Sequence, residues 1–283
     1  MKVSRIAQNN FRQWLINPQN AAALFCLALY TYDQLYGMTD FAAYLNSKIT
    51  QWMMPFLLGS ASRMIPVMLL FLLLISESPF RTRQQSFVIQ RTGKRAWING
   101  QLLYLFIISI GYTALVWLFS WIWYVSELKW SSEWGESLIT ASRGLDPAVF
   151  DVFLDFSYRI IRNTDPLVVT AWCSTVMILV CYMLGVILTI CNLYLRKGVG
   201  AIVTSSLVGL SLIPELFSVD PGLIKMTIWI SPVTWMDRAL MGNESQNLPS
   251  YAFGILAPAI ISIILSMLLI LTIGKCDVET DKE

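Results

Sequence analysis

The chain has no histidine among its 283 residues, which excludes imidazole acid–base chemistry and histidine-ligated metal sites. Charged residues are also scarce, at 13% of the chain against about 25% in soluble domains. The five cysteines show no CxxC spacing, and the net charge of +2 gives no broad basic surface for nucleic acid. Because 56% of the residues are hydrophobic, we expect an integral membrane protein. From the histidine and cysteine content and the small net charge, we expect no metal site and no nucleic-acid partner.

Long uncharged stretches predict the membrane crossings, because a spanning helix needs about 20 predominantly apolar residues. Residues 96–126, 166–195 and 245–274 carry no charge. Three further stretches are shorter or carry one charge: 21–37, 55–76 and 198–214. We therefore predict an all-α membrane protein with six transmembrane helices, at about residues 20–37, 55–76, 99–124, 167–194, 198–214 and 250–274.

The distribution of charge predicts the topology of these six spans. Segments on the side of the two termini carry twelve Lys and Arg against five acidic residues, whereas the rest carries eight against thirteen. Basic residues favour the cytoplasmic side of a membrane. We expect a multi-pass protein of the cytoplasmic membrane, with both termini and the loop 78–98 in the cytoplasm.

The segments outside the spans differ in character. In residues 1–17, apolar side chains recur at three- and four-residue spacing, which predicts an amphipathic interfacial helix ahead of the transmembrane domain at 18–283. Residues 126–166 form an acid-rich external loop. Residues 215–248 alternate between short apolar pieces and prolines, so we expect re-entrant or interfacial helices there.

The loop 78–98 combines basic residues with Phe80, Phe87, Val88 and Ile89, and it has no acidic residue. A helix that docks into a groove of another protein needs such apolar side chains. A basic loop that lies on the membrane surface is the alternative interpretation.

Taken together, the N-terminal helix, the six spans, the Pro-Phe and Arg-Thr-Gly-Lys-Arg-Ala-Trp-Ile-Asn-Gly-Gln segments before span three, and the broken region before span six resemble ABC-2-type permease subunits. The resemblance implies a type V exporter-like fold with re-entrant external helices. It also implies a coupling helix near 80–91, seated on a separate ABC ATPase present in two copies, and a second permease, identical or homologous. The residues expected to couple to the ATPase are Phe80, Arg81, Arg83, Phe87, Arg91, Lys94 and Arg95.

No GxxxxGK[ST] sequence occurs in the chain. Gly93-Lys94 is followed by Arg95, and Gly274-Lys275 by Cys276, so the hydroxyl that would hold Mg²⁺ in a P-loop is missing from both. We therefore expect no cofactor on this chain and no catalytic residue in it. ATP and Mg²⁺ would bind the partner ATPase.

Charges near the membrane are candidates for function because an unpaired one is costly there. Asp33 and Arg63 fall near the outer ends of spans one and two, so we predict an ion pair, with separate snorkelling to the interface as the alternative. Trp235, Asp237 and Arg238 are a candidate external gate, and a solvated loop is the alternative for them.

The expected function is that of an exporter permease that moves an amphipathic cargo by alternating access: a peptide, including an antimicrobial peptide, a lipid-like molecule or a drug. A membrane-embedded enzyme acting on lipids or peptides is a second hypothesis, although the spans contain no paired carboxylates and no HExxH. An ion-driven secondary transporter is a third, although such proteins usually show intramembrane acids and internal repeats.

Overall fold

The computed structural model describes residues 2–79, 83–144, 147–196, 198–216, 221–242 and 247–275. Regular structure in these ranges is helical, apart from an isolated bridge between Ile49 and Leu128. The α-helices are α1 (Lys2–Ile16), α2 (Pro18–Leu35), α3 (Met38–Tyr44), α4 (Met54–Leu57), α5 (Ala61–Ile75), α6 (Arg83–Thr92), α7 (Lys94–Phe119), α8 (Glu136–Ser142), α9 (Tyr158–Asn163), α10 (Pro166–Tyr194), α11 (Val199–Gly209), α12 (Ile213–Leu216), α13 (Pro221–Ile230) and α14 (Tyr251–Thr272). Short 3-10 helices cover Ile122–Glu127, Pro147–Phe150, Leu210–Leu212, Thr234–Met236 and Ile273–Lys275.

Three helices are long and apolar enough to cross a membrane, namely α7 with 26 residues, α10 with 29 and α14 with 22. At about 1.5 Å per residue they reach roughly 39, 43 and 33 Å, which exceeds the ~30 Å hydrocarbon core. They coincide with the three uncharged stretches of the sequence. The all-helical prediction is thus confirmed for the described residues, and three of the six predicted spans coincide with candidate membrane-spanning helices.

The other three predicted spans are shorter or more polar. Helix α2 has 18 residues but includes Asn20 and Asp33, and the apolar part of the 198–214 stretch ends at Leu212. The predicted span 55–76 is interrupted, because α4 ends at Leu57 and α5 starts only at Ala61. Extended backbone at Ser60 separates the two helices and leaves α5 with 15 residues.

Helix α10 is the centre of the fold and packs against α5, α7, α11 and α14. The close approach depends on Gly185, where an added Cβ would lie 3.2 Å from a methyl group of Leu105 and 3.4 Å from one of Ile75. Two thirds of the most apolar part of α10 is buried, whereas α14 buries only 22%. Such a large exposed apolar surface is typical of a helix that contacts lipid or another protein chain.

Helix α1 lies along α7 at its first turns. A Cβ on Gly100 of α7 would approach Ile6 to 2.5 Å, so the two backbones are in close contact there. The Trp14 indole donates to the carbonyl of Leu74 at 3.2 Å and fixes the other end of α1 to α5. Ile6 and Trp14 are buried as expected from the amphipathic pattern, whereas Leu15 is exposed because it lies about 100° around the helix from Trp14.

The helical body has two ends with different charge. The basic end holds α6, the turn between α10 and α11, and the last turn of α14. The acidic end holds residues 122–144 and 147–165 and, from the segment between α13 and α14, residues 231–242 and 247–250. Helix α7 runs from the basic to the acidic end, and α10 and α14 run back.

Candidate functional site

Helix α6 is a short helix at the basic end, set between α5 and α7. It is separated from α7 by Gly93 alone, whose φ of +86° is in the left-handed region that favours glycine. The N–H of Gly93 donates to the carbonyl of Ile89 at 2.8 Å, and the Gly93 carbonyl accepts from Trp97 N–H at 3.1 Å. The turn between the two helices is therefore tight, and a movement of α6 acts directly on the start of α7.

The inner side of α6 packs on a set of buried apolar residues that we call the basic-end cluster. Val88 and Ile89 are the α6 side chains that contact it. The cluster joins α1, α7, α10, α14 and the turn that follows α14, and it consists of Ile6, Trp97, Ile98, Leu102, Val186, Leu193, Leu269 and Ile273. Helix α6 thus packs directly on α7 and on a cluster to which all three candidate membrane-spanning helices contribute.

The outer side of α6 exposes Phe87, whose residue surface is 66% accessible. Arg91 and Arg95 are also exposed, and Lys94 is half-buried. Arg83 is the first residue of α6, although its side chain is not described, and Phe80 and Arg81 lie outside the described residues. The predicted coupling residues that are described therefore lie on or next to one short helix, with an aromatic side chain facing outward.

Asn192 links the segment that leads to α6 with the turn between α10 and α11. Its Nδ2 donates to the carbonyl of Ser78 at 2.8 Å, and its Oδ1 accepts from the N–H groups of Gly198 and Gly200 at 3.1 and 3.0 Å. An added Cβ on Gly200 would lie 2.4 Å from the Leu188 carbonyl oxygen, so only glycine fits there. The sequence did not point to this buried asparagine.

At the acidic end, the structure corrects the predicted partner of Arg63. The guanidinium is buried and lies 2.7 Å from an Asp155 carboxylate oxygen, and it also donates to the Phe153 carbonyl at 2.7 Å. Asp33 instead accepts from the neighbouring Gln34 amide at 3.3 Å. The predicted Asp33–Arg63 pair is therefore wrong.

The reason for the different pairing is the path of the acidic-end segment. Residues after Pro147–Phe150 return across the start of α5, which brings Phe153 and Asp155 to Arg63. The same segment packs tightly against the turn between α2 and α3, because an added Cβ on Gly37 would lie 1.6 Å from the Phe150 carbonyl oxygen.

The effects of substituting Asp155 and Asp33 on the free energy of unfolding test the Arg63–Asp155 pair. Asp155 is mostly exposed, so we expect Asp155→Asn to lower the free energy of unfolding by about 0.5–1 kcal/mol, as surface ion pairs do. Asp33→Asn should leave it unchanged. Denaturant unfolding of the detergent-solubilised protein measures both variants, and a larger loss for Asp33→Asn would restore the original pairing.

The candidate gate residues are buried rather than part of a solvated loop. Trp235 donates from its indole to the Ile228 carbonyl at 3.1 Å. The Arg238 guanidinium lies 4.3 Å from the centre of the Tyr251 ring and 5.1 Å from that of Trp172, both within cation–π range. Arg238 thereby connects the segment after α13 to the acidic-end turns of α10 and α14.

Asp237 is only 4% exposed and lies outside the candidate membrane-spanning helices. Burial raises its pKa to about 7, although the N–H groups of Ala239 and Leu240 and the charge of Arg63 lower the pKa and the Asp155 charge raises it. The Ala239 N–H donates to the carboxylate at 2.8 Å. A carboxyl group with such a pKa changes charge near neutral pH.

Arg159 makes a further, partly buried contact at the acidic end, and the sequence did not point to it. Its guanidinium donates to the Met241 carbonyl at 2.9 Å and contacts the Tyr251 hydroxyl at 3.1 Å. The feature of the sequence that could have identified Arg159 is that it is a basic residue inside an acid-rich segment. The acidic end thus carries Arg63, Asp155, Arg159, Asp237 and Arg238 in one connected region.

Comparisons of the chain with models of known protein families, with curated proteins and with solved structures found no match.

Proposed function

We propose that the chain is the membrane-spanning permease subunit of an ATP-binding-cassette exporter, with six crossings, an ABC-2-like arrangement and both termini in the cytoplasm. One observation carries the proposal. Helix α6 exposes Phe87 on one side and packs Val88 and Ile89 into the basic-end cluster on the other. An ATPase that binds the outer side of α6 therefore gains a short mechanical path to α7, α10 and α14.

The exposed aromatic side chain suits such a contact, because buried aromatic and arginine side chains contribute most to binding at protein interfaces. Phe87 supplies the aromatic group, and Arg91 and Arg95 supply adjacent positive charge on the same end of the molecule. In this proposal two ATPase copies bind two permeases, and the second permease is identical or homologous. ATP and Mg²⁺ bind to the ATPase.

The cargo in this proposal is an amphipathic molecule, such as a peptide, a lipid-like molecule or a drug. The candidate spanning helices support that choice, because α10 and α14 contain no charged residue and α7 has charges only at Lys94 and Arg95. A small ionic cargo would need polar groups along the pathway.

The test is co-purification of the tagged full chain from its own host, followed by mass spectrometry. Wild-type protein should retain a polypeptide with a GxxxxGK[ST] sequence. Phe87→Asp should reduce its recovery by about tenfold or more, since loss of an interface hot spot costs about 2 kcal/mol or more.

Phe153→Asp is the matched control, because Phe153 is also 66% exposed but lies at the acidic end. It should retain the ATPase at the wild-type level. Equal recovery with Phe87→Asp would exclude α6 as the contact. A wild-type sample without any such ATPase would favour the membrane-enzyme or secondary-transporter hypotheses.

A further inference from the structure

A groove of about 250 Å³ lies between α1 and α7. We call it the α1–α7 groove. Most of its lining is apolar and comes from facing sides of the two helices, with Ala7, Gln8 and Phe11 on α1 and Leu103 and Ile107 on α7. Leu103 and Ile107 are the tenth and fourteenth of the 26 residues of α7, so the groove reaches from the basic-end half of the helix to its middle.

The groove opens on a side of α7 that is partly exposed within the described part of the chain. Leu103 and Ile107 are 36% and 44% exposed, and Phe106 and Ile110 continue this exposed apolar strip along the helix. Because α7 is one of the three helices able to cross a membrane, the strip faces acyl chains in a bilayer. The groove is therefore accessible to a lipid from the side.

The exposed side of α1 next to the groove is basic, on both sides of the lining residue Gln8. Arg5, Gln8 and Arg12 recur at spacings of three and four residues on α1, so they share its exposed side. Helix α1 contains no acidic residue. Within the described part of the chain, neither arginine has an ion-pair or hydrogen-bond partner. Guanidinium groups in this situation bind phosphate through paired N–H donors.

We propose that the α1–α7 groove binds an anionic phospholipid from the leaflet at the basic end. One acyl chain lies in the groove against Phe11, Leu103 and Ile107, and the phosphate is held by Arg5 and Arg12. Charge complementarity selects the anionic headgroup, because α1, which forms one wall of the groove, carries two exposed arginines and no acidic residue. The site does not depend on the transport function and requires only that α7 lies in a membrane.

Native mass spectrometry of the purified full chain in detergent tests the site, with dioleoylphosphatidylglycerol and dioleoylphosphatidylcholine as probes. The wild type should retain one phosphatidylglycerol in preference to phosphatidylcholine. Arg5→Gln/Arg12→Gln should weaken retention of phosphatidylglycerol by roughly tenfold to thirtyfold, since each basic residue near an anionic headgroup contributes to binding. Arg5→Lys/Arg12→Lys should recover much of it, because the charge is kept.

Leu103→Trp tests the groove separately, because the larger ring fills the place of the acyl chain. It should reduce retention of both lipids. The matched controls are Leu69→Trp on α5, where Leu69 is 41% exposed, and Arg143→Gln/Arg162→Gln at the acidic end. Both controls should retain phosphatidylglycerol and phosphatidylcholine to the same extent as the wild type.

Equal retention of the two lipids by the wild type, or unchanged retention after loss of both arginines, would overturn the proposal. Unchanged retention in Leu103→Trp would also overturn it, because the lipid would then not occupy the groove. An unchanged unfolding midpoint in each variant distinguishes loss of the site from loss of the fold.

Discussion

Replacing Asn192 by leucine is expected to prevent stable folding, which is the largest effect that we predict for a single substitution. The change removes the acceptor for the N–H groups of Gly198 and Gly200 and the donor to the Ser78 carbonyl. A buried polar group that loses its partner costs about 1–3 kcal/mol. Two of the three groups, the Ser78 carbonyl and the Gly200 N–H, are buried, whereas Gly198 is exposed. We therefore expect a loss on the order of 2–6 kcal/mol, comparable with the whole stability of many domains.

The measurement is the amount of membrane-inserted protein and its unfolding midpoint in detergent. Thr189→Val should give a smaller loss of about 1–2 kcal/mol, because it removes the bond between the Thr189 and Ser78 hydroxyls, 3.0 Å apart, and the bond that the Thr189 hydroxyl donates to the Gly185 carbonyl at 2.8 Å. Asn163→Leu is the matched control, since Asn163 is exposed at the end of α9. An Asn192→Leu protein as abundant and stable as this control would show that the turn between α10 and α11 does not need the asparagine.

The long helices could be predicted from the sequence because an uncharged stretch of spanning length has few alternatives to a membrane helix. Their ends were harder to place. Helix α7 begins at Lys94, five residues before the predicted span at 99, because Gly93 adopts a positive φ that lets two helices meet with one residue between them. Polarity marks where the membrane ends, not where the helix ends.

The contacts between distant residues could not be predicted in the same way. Arg63 and Asp155 are 92 positions apart, and only the path of residues 147–155 brings them together. Asn192 is the one amide side chain in the apolar run from 166 to 195, so no pattern marks it. Asp237 and Arg238 have the local sequence of a solvated loop, and their burial results from packing against α10 and α14.

The environment of Asp237 predicts how stability depends on pH. Burial raises the pKa of this carboxyl group from 3.8 to about 7. The folded protein therefore keeps the proton between about pH 4 and 7, whereas the unfolded chain releases it. Because the unfolded state then binds fewer protons, the free energy of unfolding falls as pH rises through this window and levels off above pH 7.

The size of this effect follows from the difference in pKa. Between pH 5 and 7.5 the contribution of Asp237 to stability should fall by roughly 2–3 kcal/mol, at about 1.4 kcal/mol per pH unit. The charged groups that act on Asp237 are Arg63 and Asp155, and Arg238 follows it in the chain. Arginine stays protonated throughout this range, so the titrating group is a carboxyl.

Asp237→Asn should remove this dependence, since asparagine cannot titrate and presents a similar shape to the Ala239 N–H. Unfolding midpoints measured in detergent from pH 5 to 8 should fall for the wild type and stay nearly level for the variant. Asp40→Asn, at an exposed position on α3, is the control and should keep the wild-type slope. If Asp237→Asn kept the wild-type dependence of the unfolding midpoint on pH, a different group would be responsible for that dependence. Asp237 would then be a carboxylate at every pH in the range.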